Sequence, residues 1–283
     1  MTKPIRAFFL VLVLAFATLL TAQRADWTRP FEGHRVIGNL YHVGTYDLAC
    51  FLITSPEGHI LINTGVEDST AMLRENIESL GFRIEDVKIL LTMQAHWDHT
   101  AALAEIKKIS GAKMWATGGD APILEDGGMS DPHFGGKVSF APVKVDRRIQ
   151  DGETTELGET RLTVVSTPGH TTGSVSYTMK IREGGRGYDV VIANMGTINQ
   201  GKRLLDRPTY PGVAEDFAET FRKQKALPCD IWVAAHGSQY GLHGKYKAGD
   251  AYDPETFVDP EGFLAEIERL EKLYLQQLKA EKR

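Results

Sequence analysis

The sequence predicts an α/β fold in which two β-sheets pack together with helices on the outer faces. Short apolar runs of strand length alternate with amphipathic helical segments in both halves of the chain, which is typical of sheets covered by helices. Histidines follow directly on three of the apolar runs, so polar side chains are expected at the strand ends. No sequence repeat of 20–50 residues is visible.

The first half contains strand-like runs that are separated by turn and helix signals. The predicted strands are residues 40–43, 49–53, 59–62, 87–92 and 113–116. A helix is predicted to begin at Asp68 or Ser69 and to end at Gly81, and another to end near Ser110. A short helix near Ala121 precedes a long loop, which is marked by Gly127, Gly128, Gly135 and Gly136.

The second half repeats the pattern. The predicted strands are residues 161–165, 174–181, 188–193 and 231–235, and a helix is predicted at residues 215–227. The chain ends in a long amphipathic helix. Its predicted core stripe is Phe263, Leu264, Ile267, Leu270, Tyr274 and Leu278.

The amino terminus has the composition of a secretory signal peptide. Lys3 and Arg6 precede an apolar run at residues 7–20, which is too short to span a bilayer. We expect cleavage after Ala22, with residues 1–22 as the signal and residues 23–283 as one domain. No Cys follows the site, so a lipid anchor is not expected. These features predict a soluble protein exported to a bacterial periplasm.

The net charge and the cysteine content restrict the range of possible functions. The net charge of −5 provides no basic surface for nucleic acid. Export permits disulfides, but the two cysteines, Cys50 and Cys229, each lie in or beside a strand-like run that is predicted to be buried. We therefore interpret them as two free thiols.

Histidines end three of the predicted strands. Residues 94–99 read Gln-Ala-His-Trp-Asp-His after the strand at residues 87–92, and His170 and His236 follow two later strands. Side chains at the ends of buried strands are held rigidly and converge above the sheet edge. Imidazole with carboxylate suits Zn²⁺ better than Mg²⁺ or Ca²⁺. The alternative, a His-rich solvated turn, does not account for three strand ends.

Five other histidines lack this setting. We interpret them as surface or satisfied core residues, with His243 as the strongest candidate for an exception. They are His34, His42, His59, His133 and His243.

These motifs resemble the metallo-β-lactamase superfamily, from about Val36 to the end of the chain. The family's first motif, His-x-His-x-Asp-His, is matched by residues 94–99. Residues 168–171, Pro-Gly-His-Thr, and residues 235–238, Ala-His-Gly-Ser, match two further ligand elements. The resemblance implies the αβ/βα sandwich and a zinc-dependent hydrolase.

Finer features resemble the third subclass of class B β-lactamases, in particular its GOB-type branch. Residues 39–45 are similar to that subclass's amino-terminal segment, and residues 192–199 to the segment that lines its substrate pocket. In the branch, Gln replaces the first histidine of the motif and Met occupies a pocket position. Gln94 and Met195 stand at those places here.

Carried over position by position, the resemblance implies two zinc sites. The first consists of Gln94, His96 and His170, and the second of Asp98, His99 and His236. A neutral amide oxygen is a poorer zinc ligand than imidazole, so the first site is expected to be the weaker. We expect one or two Zn²⁺ ions per chain.

The implied reaction is hydrolysis of the amide bond of penicillins, cephalosporins and carbapenems by a zinc-bound hydroxide, which confers antibiotic resistance. Zinc lowers the pKa of bound water from 15.7 towards ~7, and Asp98 is expected to orient that water and handle its proton. The second zinc is expected to hold the nitrogen anion of the opened ring. Thr197, Thr171 and Ser238 are candidate contacts for the substrate carboxylate, with Met195 in the pocket wall. The implied partner is a small molecule, and a monomer is expected.

Other interpretations stay open. Residues 110–113 match the Ser-x-x-Lys motif of serine β-lactamases, but the partner motifs are absent and we interpret Ser110 as part of a helix stop. The chain could also be an acyl-homoserine lactonase or a thioesterase on the same scaffold, although export argues against a cytosolic thioester. The third hypothesis is a non-catalytic zinc-binding protein whose site has decayed at Gln94. Against it, the three ligands Asp98, His99 and His236 are all intact.

Overall fold

The computed structural model describes residues 25–282, so the predicted signal peptide, residues 1–22, lies outside the described residues. Two mixed sheets form the core of the fold, which confirms the predicted sandwich. The first sheet contains, in spatial order, β1 His34–Ile37, β2 Leu40–His42, β3 Phe51–Ser55, β4 Gly58–Ile62, β5 Val87–Leu91, β6 Lys113–Thr117 and β7 Arg147–Ile149. The second contains β8 Thr154–Leu157, β9 Thr160–Ser166, β10 Val175–Glu183, β11 Arg186–Ala193 and β12 Ile231–Ala234, in the reverse spatial order.

Side-chain alternation along the first sheet separates two apolar cores. In β4, Ile60 and Ile62 belong to the core shared with the second sheet, whereas Leu61 belongs to a core shared with helices. The same alternation occurs in β3, where Phe51 and Leu52 face opposite sides. The first sheet therefore lies between helices on one face and the second sheet on the other.

The helices are short except for two. They are α1 Thr70–Ser79, α2 Trp97–Thr100, α3 Leu103–Ser110, α4 Ala121–Glu125, α5 Val213–Lys225, α6 Leu242–Lys245 and α7 Pro260–Glu281, with 3₁₀ turns at Glu67–Ser69, Ile84–Asp86, Gly237–Gln239 and Pro254–Phe257. Residues 25–28 are also helical. No helix within residues 25–282 is long and apolar enough to cross a membrane.

Local sequence signals explain where several helices begin and end. Asp259 accepts a hydrogen bond from the Gly262 amide and Pro260 occupies the first turn, so α7 begins there. Gly111 ends α3 with a left-handed φ of 69°, and the Ser110 hydroxyl donates to the Ile106 carbonyl. This geometry confirms that Ser110 belongs to a helix stop.

The parallel strands bring the predicted ligand segments to one edge of the fold. Strands β4, β5 and β6 are mutually parallel, and so are β11 and β12. Strand β9 also runs in the direction of β11 because both are antiparallel to β10. The segments that follow β5, β9 and β12 carry the histidines of the motifs, and residues 194–197 follow β11.

Some sequence predictions differ from the structure. Three short strands were not predicted, namely β1, β7 and β8, because none has a strand-length apolar run. Leu264 is 44% exposed and does not belong to the α7 core stripe, whereas Phe263, Ile267 and Tyr274 are buried. The cysteines agree with prediction: Cys50 is buried, Cys229 is half-buried, and both are free thiols.

Candidate metal centre

The segment after β5 is held in place by Asn63, which directly follows β4. Asn63 has a φ of 63°, and its side-chain oxygen accepts hydrogen bonds from the Met93 amide at 3.0 Å and the Thr92 hydroxyl at 3.2 Å. The Tyr177 hydroxyl from the second sheet donates to the Thr92 carbonyl at 2.9 Å. Both sheets therefore fix the backbone that leads into Gln94.

The next residues turn into helix α2. His96 is extended and precedes the helix, and the Thr100 hydroxyl donates to its carbonyl at 2.8 Å. Asp98 and His99 lie within the helix, and the His99 carbonyl accepts from the Thr64 amide at 2.9 Å. A single turn of helix thus points three potential ligands towards the same sheet edge.

His170 approaches from the second sheet after a tight glycine turn. Gly169 has a φ of 123°, and a Cβ there would lie 2.8 Å from the Phe217 ring, so a larger residue would be both strained and crowded. The His170 carbonyl accepts from the Lys202 ammonium at 2.8 Å. This backbone turn delivers the His170 ring beside His96.

The first group of predicted ligands, Gln94, His96 and His170, is brought together at the strand ends. His96 Nδ1 lies 3.0 Å from His170 Nε2. The outer nitrogen of His170, Nδ1, lies 2.8 Å from the Thr197 carbonyl oxygen, to which it can only donate. Gln94 is 3% exposed, and its side-chain oxygen has no hydrogen-bond partner among the described residues.

The second group, Asp98, His99 and His236, also converges. Asp98 Oδ2 lies 3.4 Å from His99 Nε2 and 3.6 Å from His236 Nε2. One ligand atom from each of the three residues lies within 4.8 Å of the others, which makes them a group that can hold a metal ion. The outer nitrogen of His236, Nδ1, lies 2.9 Å from Asp47 Oδ2.

The donor atoms in both groups fit Zn²⁺. An oxygen acceptor fixes the proton of His170 and of His236 on the outer nitrogen, so the inner nitrogens present lone pairs. The buried Gln94 oxygen and both His99 nitrogens have no hydrogen-bond partner among the described residues, although Asp98 Oδ2 lies 3.4 Å from His99 Nε2. Buried acceptors without donors are costly unless a cation or water satisfies them.

The pKa values of most of these groups favour metal binding. Burial lowers the pKa of His99 to about 4 and that of His170 well below its usual value, so both are neutral imidazoles at neutral pH. Burial opposes ionisation of Asp98, but the neighbouring His99 and His236 lower its pKa and keep it a carboxylate. A neutral imidazole and a carboxylate are the forms that bind Zn²⁺.

The pKa of His236 is shifted in the opposite direction from the pKa values of His99 and His170. Burial lowers its pKa, but the Asp47 hydrogen bond and the Asp98 carboxylate outweigh burial and raise it. For Asp47, burial is likewise outweighed by the contact with His236, and its pKa is lowered. A cation between Asp98 and His236 would replace the proton that these carboxylates favour.

A cavity of about 510 Å³ opens over the two groups. Met195, Thr197 and Ser238, three of the predicted substrate contacts, line it. Thr171 does not: it is buried, and its hydroxyl donates to Asp120 Oδ2 at 2.9 Å, away from the cavity. A larger surface cavity of about 840 Å³ is lined by residues of both sheets, among them Asn39, Thr54 and Thr178. It includes none of the predicted ligands.

The sequence did not single out several residues of this region. Trp27, Asp47, Asp120 and Asp131 lie far from the motifs along the chain, and only the tertiary structure brings them close. Trp27 Nε1 donates to Asp47 Oδ2 at 3.2 Å, and its ring packs against His236. Burial raises the pKa of Asp120 to about 6. An isolated acidic or aromatic residue in a loop gives no local sequence signal that it lies beside a metal ligand.

Four of the five remaining histidines fall into two environments, and the fifth, His59, packs edge-on against Phe82. His133 and Phe134 line the cavity, so His133 and not His243 is the exception among the five. His34, His42 and His243 instead surround the Phe31 ring, at centroid distances of 5.7, 5.8 and 5.2 Å. We call these three residues the Phe31 cluster.

Comparison with known proteins agrees with this geometry. Residues 45–184 match the Metallo-beta-lactamase superfamily. The fold is similar to LRA-12, a class B3 di-zinc metallo-β-lactamase from an Alaskan soil metagenome, with 47% identity over 90% of this chain and 97% of that chain and a TM-score of 0.87. It is also similar to GOB-18 from Elizabethkingia meningoseptica, with 42% identity over 90% and 95% of the two chains and a TM-score of 0.88. FEZ-1 from Legionella gormanii shows 38% identity over 90% and 98%, with a TM-score of 0.87.

Curated relatives give a more distant match. A hydroxyacylglutathione hydrolase from Rhodospirillum rubrum is 30% identical over 55% of this chain and 49% of its own length. One from Hyphomonas neptunium is 24% identical over 63% of this chain and 57% of its own length. The chain thus spans about half the length of the curated relatives it matches.

The chain belongs to the metallo-β-lactamase superfamily. Its structural neighbours LRA-12 and GOB-18 are both described as metallo-β-lactamases, and LRA-12 is described as class B3. The predicted family, its third subclass and the prediction that the chain is an enzyme are confirmed.

Proposed function

We propose that the protein is a zinc-dependent β-lactamase that opens the lactam ring of penicillins, cephalosporins and carbapenems. The observation that carries the proposal is the convergence of two ligand groups at the strand ends beneath a cavity of about 510 Å³, the first with His96 Nδ1 and His170 Nε2 facing each other. Cavities of that size suit small molecules. Similarity to β-lactamases over 90% of the chain supports the choice of substrate.

Six residues are proposed to hold up to two Zn²⁺ ions. The first group is Gln94, His96 and His170, and the second is Asp98, His99 and His236. Zinc would supply a Lewis acid and lower the pKa of a water molecule towards ~7. We expect the second group to bind more tightly because it contains a carboxylate, whereas Gln94 offers only a neutral amide oxygen.

Residues in and around the two ligand groups are proposed to orient the attacking water and to restrict the access of solvent. Asp98 lies between the rings of His99 and His236, so its carboxylate can orient the attacking water and accept its proton. Thr197 holds His170 through its carbonyl and hydroxyl oxygens and lines the cavity. Met195 and Phe134 place apolar surface over the site, which restricts solvent access.

A second candidate function is thioester hydrolysis. The curated hydroxyacylglutathione hydrolases favour it, but they match at 24–30% identity over about half their length. The β-lactamases match at 38–47% identity over nearly their whole length. The balance therefore favours the lactam substrate.

A side-by-side assay tests the proposal. Purified protein without residues 1–22 is offered a penicillin, a carbapenem, an acyl-homoserine lactone and a glutathione thioester. We expect turnover of both lactams. Turnover of only the last two substrates would overturn the proposal, and a matched preparation of Asp98→Asn controls for contaminating hydrolases.

We further propose that residues 1–22 export the protein to the periplasm of its host. Fractionation of cells that express the full chain should place the activity in the periplasm, with a protein shortened to residues 23–283. Expression without residues 1–22 should retain it in the cytoplasm. Uncleaved protein in the cytoplasmic fraction would contradict export.

A further inference from the structure

Asp131 lies in the loop at residues 127–136, outside both ligand groups. It is 5% exposed. One of its oxygens, Oδ1, accepts hydrogen bonds from the His133 amide at 2.6 Å and the Phe134 amide at 3.1 Å. The other oxygen, Oδ2, lies 3.2 Å from His96 Nε2. A single buried carboxylate therefore joins the loop to a proposed zinc ligand.

The position of the proton on the His96 ring decides whether its inner nitrogen can bind a metal. His170 directs an inner lone pair at His96 Nδ1, because its own proton faces the Thr197 carbonyl. His96 Nδ1 can act as a second ligand atom only if the ring proton is on Nε2. Nothing in the sequence motif fixes that choice.

Asp131 is the group that favours the required proton position. Its negative oxygen faces His96 Nε2, which has no other hydrogen-bond partner among the described residues. The N–H is not aligned with the oxygen, so at 3.2 Å the contact is an ion–dipole contact and not a well-directed hydrogen bond. In a buried site such a contact still strongly favours a donor over a lone pair.

The loop that carries Asp131 also forms part of the cavity wall. The Phe134 ring packs edge-on against His96, with a centroid distance of 4.9 Å, and His133 lines the cavity beside it. Asp131 holds both residues through their amides. The carboxylate thus links the orientation of His96 with the shape of the cavity.

We infer that Asp131 is a positioning residue that keeps the His96 proton on Nε2, and that it thereby couples zinc binding by the first group to the order of the loop at residues 127–136. The inference rests on the proposed zinc site. Because binding coupling is reciprocal, zinc in the first group should order the loop to the same extent that the ordered loop favours zinc.

The substitution Asp131→Asn tests the inference with little change in shape. Its side-chain oxygen should stay with the two loop amides, since an amide nitrogen cannot accept from them. The –NH₂ group then faces His96 Nε2 and favours a lone pair there, so the ring proton moves to Nδ1. Asp126→Asn is the matched control, because Asp126 lies in the same region and one of its oxygens accepts from the Ser130 amide, while the other has no hydrogen-bond partner among residues 25–282.

The main readout is the zinc affinity of each binding step, measured by competition with a chromophoric chelator. We expect Asp131→Asn to weaken the weaker of two zinc-binding steps by about 10–100-fold and to leave the tighter step unchanged. Asp126→Asn should match the wild type in both steps. Equal affinities in all three proteins would overturn the inference, and so would a wild type with a single step, since the first group would then hold no zinc. Lactam hydrolysis by that single-zinc wild type would leave the proposed function intact.

A second readout does not depend on metal affinity. In the zinc-free protein, the lone pair of His170 Nε2 lies 3.0 Å from His96 Nδ1 and competes with Asp131 for the ring proton. Imidazole ¹⁵N–¹H correlation spectra should therefore show a larger fraction of the His96 proton on Nε2 in the wild type than in Asp131→Asn. Equal fractions in the two proteins would overturn the inference directly. Thermal unfolding of the zinc-free variants checks that the two Asn substitutions leave the fold equally stable.

Discussion

Two sets of buried histidines occur in this molecule, and different groups face their ring nitrogens. At the strand ends, His170 and His236 each have an oxygen acceptor on the outer nitrogen, and their inner nitrogens lie near other potential ligands. In the Phe31 cluster, both nitrogens of His42 lack partners, as do Nε2 of His34 and Nε2 of His243. Its rings stack instead: His34 lies 3.7 Å from Tyr246 and 5.0 Å from His42.

The comparison shows that burial and clustering do not by themselves make histidines ligands. The rings of His170 and His236 are oriented by acceptors on other segments, so their inner lone pairs face other potential ligands. The three rings of the Phe31 cluster pack edge-on with Phe31, at interplanar angles of 89°, 83° and 90°. Within residues 25–282 the cluster is not among the groups of side chains that could hold a metal ion.

Metal removal should have the largest effect. Exhaustive dialysis against a strong chelator should abolish lactam hydrolysis, and added zinc should restore it, because all the proposed chemistry depends on the strand-end groups. Serine-directed inhibitors should leave the rate unchanged, as should Ser110→Ala, since Ser110 belongs to a helix stop. Covalent labelling of Ser110 with a matching loss of rate would contradict this.

Replacement of Asp98 should have the next largest effect. Asp98→Asn should lower kcat by about 10²–10⁴-fold even at full zinc occupancy, because the side chain loses its capacity to accept a proton. Gln94→Ala should cost less rate, since Gln94 only contributes a ligand atom. Rates and zinc content measured on the same preparations separate the two roles. A mild effect of Asp98→Asn at full occupancy would show that another group orients the nucleophile.

Acid stability should include a contribution from the Phe31 cluster, in addition to that of His99 and His170. Burial lowers the pKa of His34 to about 4 and that of His42 well below its usual value, so the unfolded chain takes up protons below pH ~6.5 that the folded protein does not. Stability should therefore fall as the pH drops from about 6.5 towards 4, by up to about 3 kcal/mol for His34 alone.

Urea unfolding of zinc-free protein at several pH values measures this loss. His42→Phe keeps an aromatic ring in place but removes its titration, so its stability should decline less steeply over the same pH window, and its zinc content should match the wild type. An unchanged slope would mean that His42 can be protonated within the fold, and a loss of zinc would mean that the cluster serves the metal.

The substitution Gln94→His should have the smallest effect on rate and a clear effect on metal content. It restores a third nitrogen ligand to the first group, so the variant should retain more zinc after dialysis against a weak chelator, by at least about 10-fold in affinity. We expect the rate to hold or fall modestly. Equal zinc retention in variant and wild type would show that Gln94 is not the weak point of the first group.

The sequence was sufficient for the parts of the molecule that have a local signal. Strand β5 and the residues that follow it were predicted because an apolar run and a dense motif are adjacent in the chain. The environment of His42 was not predicted, because its neighbours His34 and His243 are brought to Phe31 by the tertiary fold.

The acceptors that orient the ligands had no local signal either. Asp47 meets His236 across 189 residues of sequence, and Asp131 is one acidic residue in a glycine-marked loop. The same long-range packing turned the hydroxyl of Thr171 towards Asp120 and away from the cavity. Motifs therefore predict which residues are candidate ligands, whereas the groups that orient them emerge only from the fold.

Anomalous diffraction at the zinc edge, from crystals of the zinc-loaded protein, tests the central claim most directly. We expect a strong peak about 2.0–2.2 Å from the ring nitrogens of His99 and His236 and a weaker peak between His96 Nδ1 and His170 Nε2. The Phe31 cluster should show none. A zinc peak at His34 or His42, or no peak at the strand ends, would contradict the assignment of the two sets of histidines.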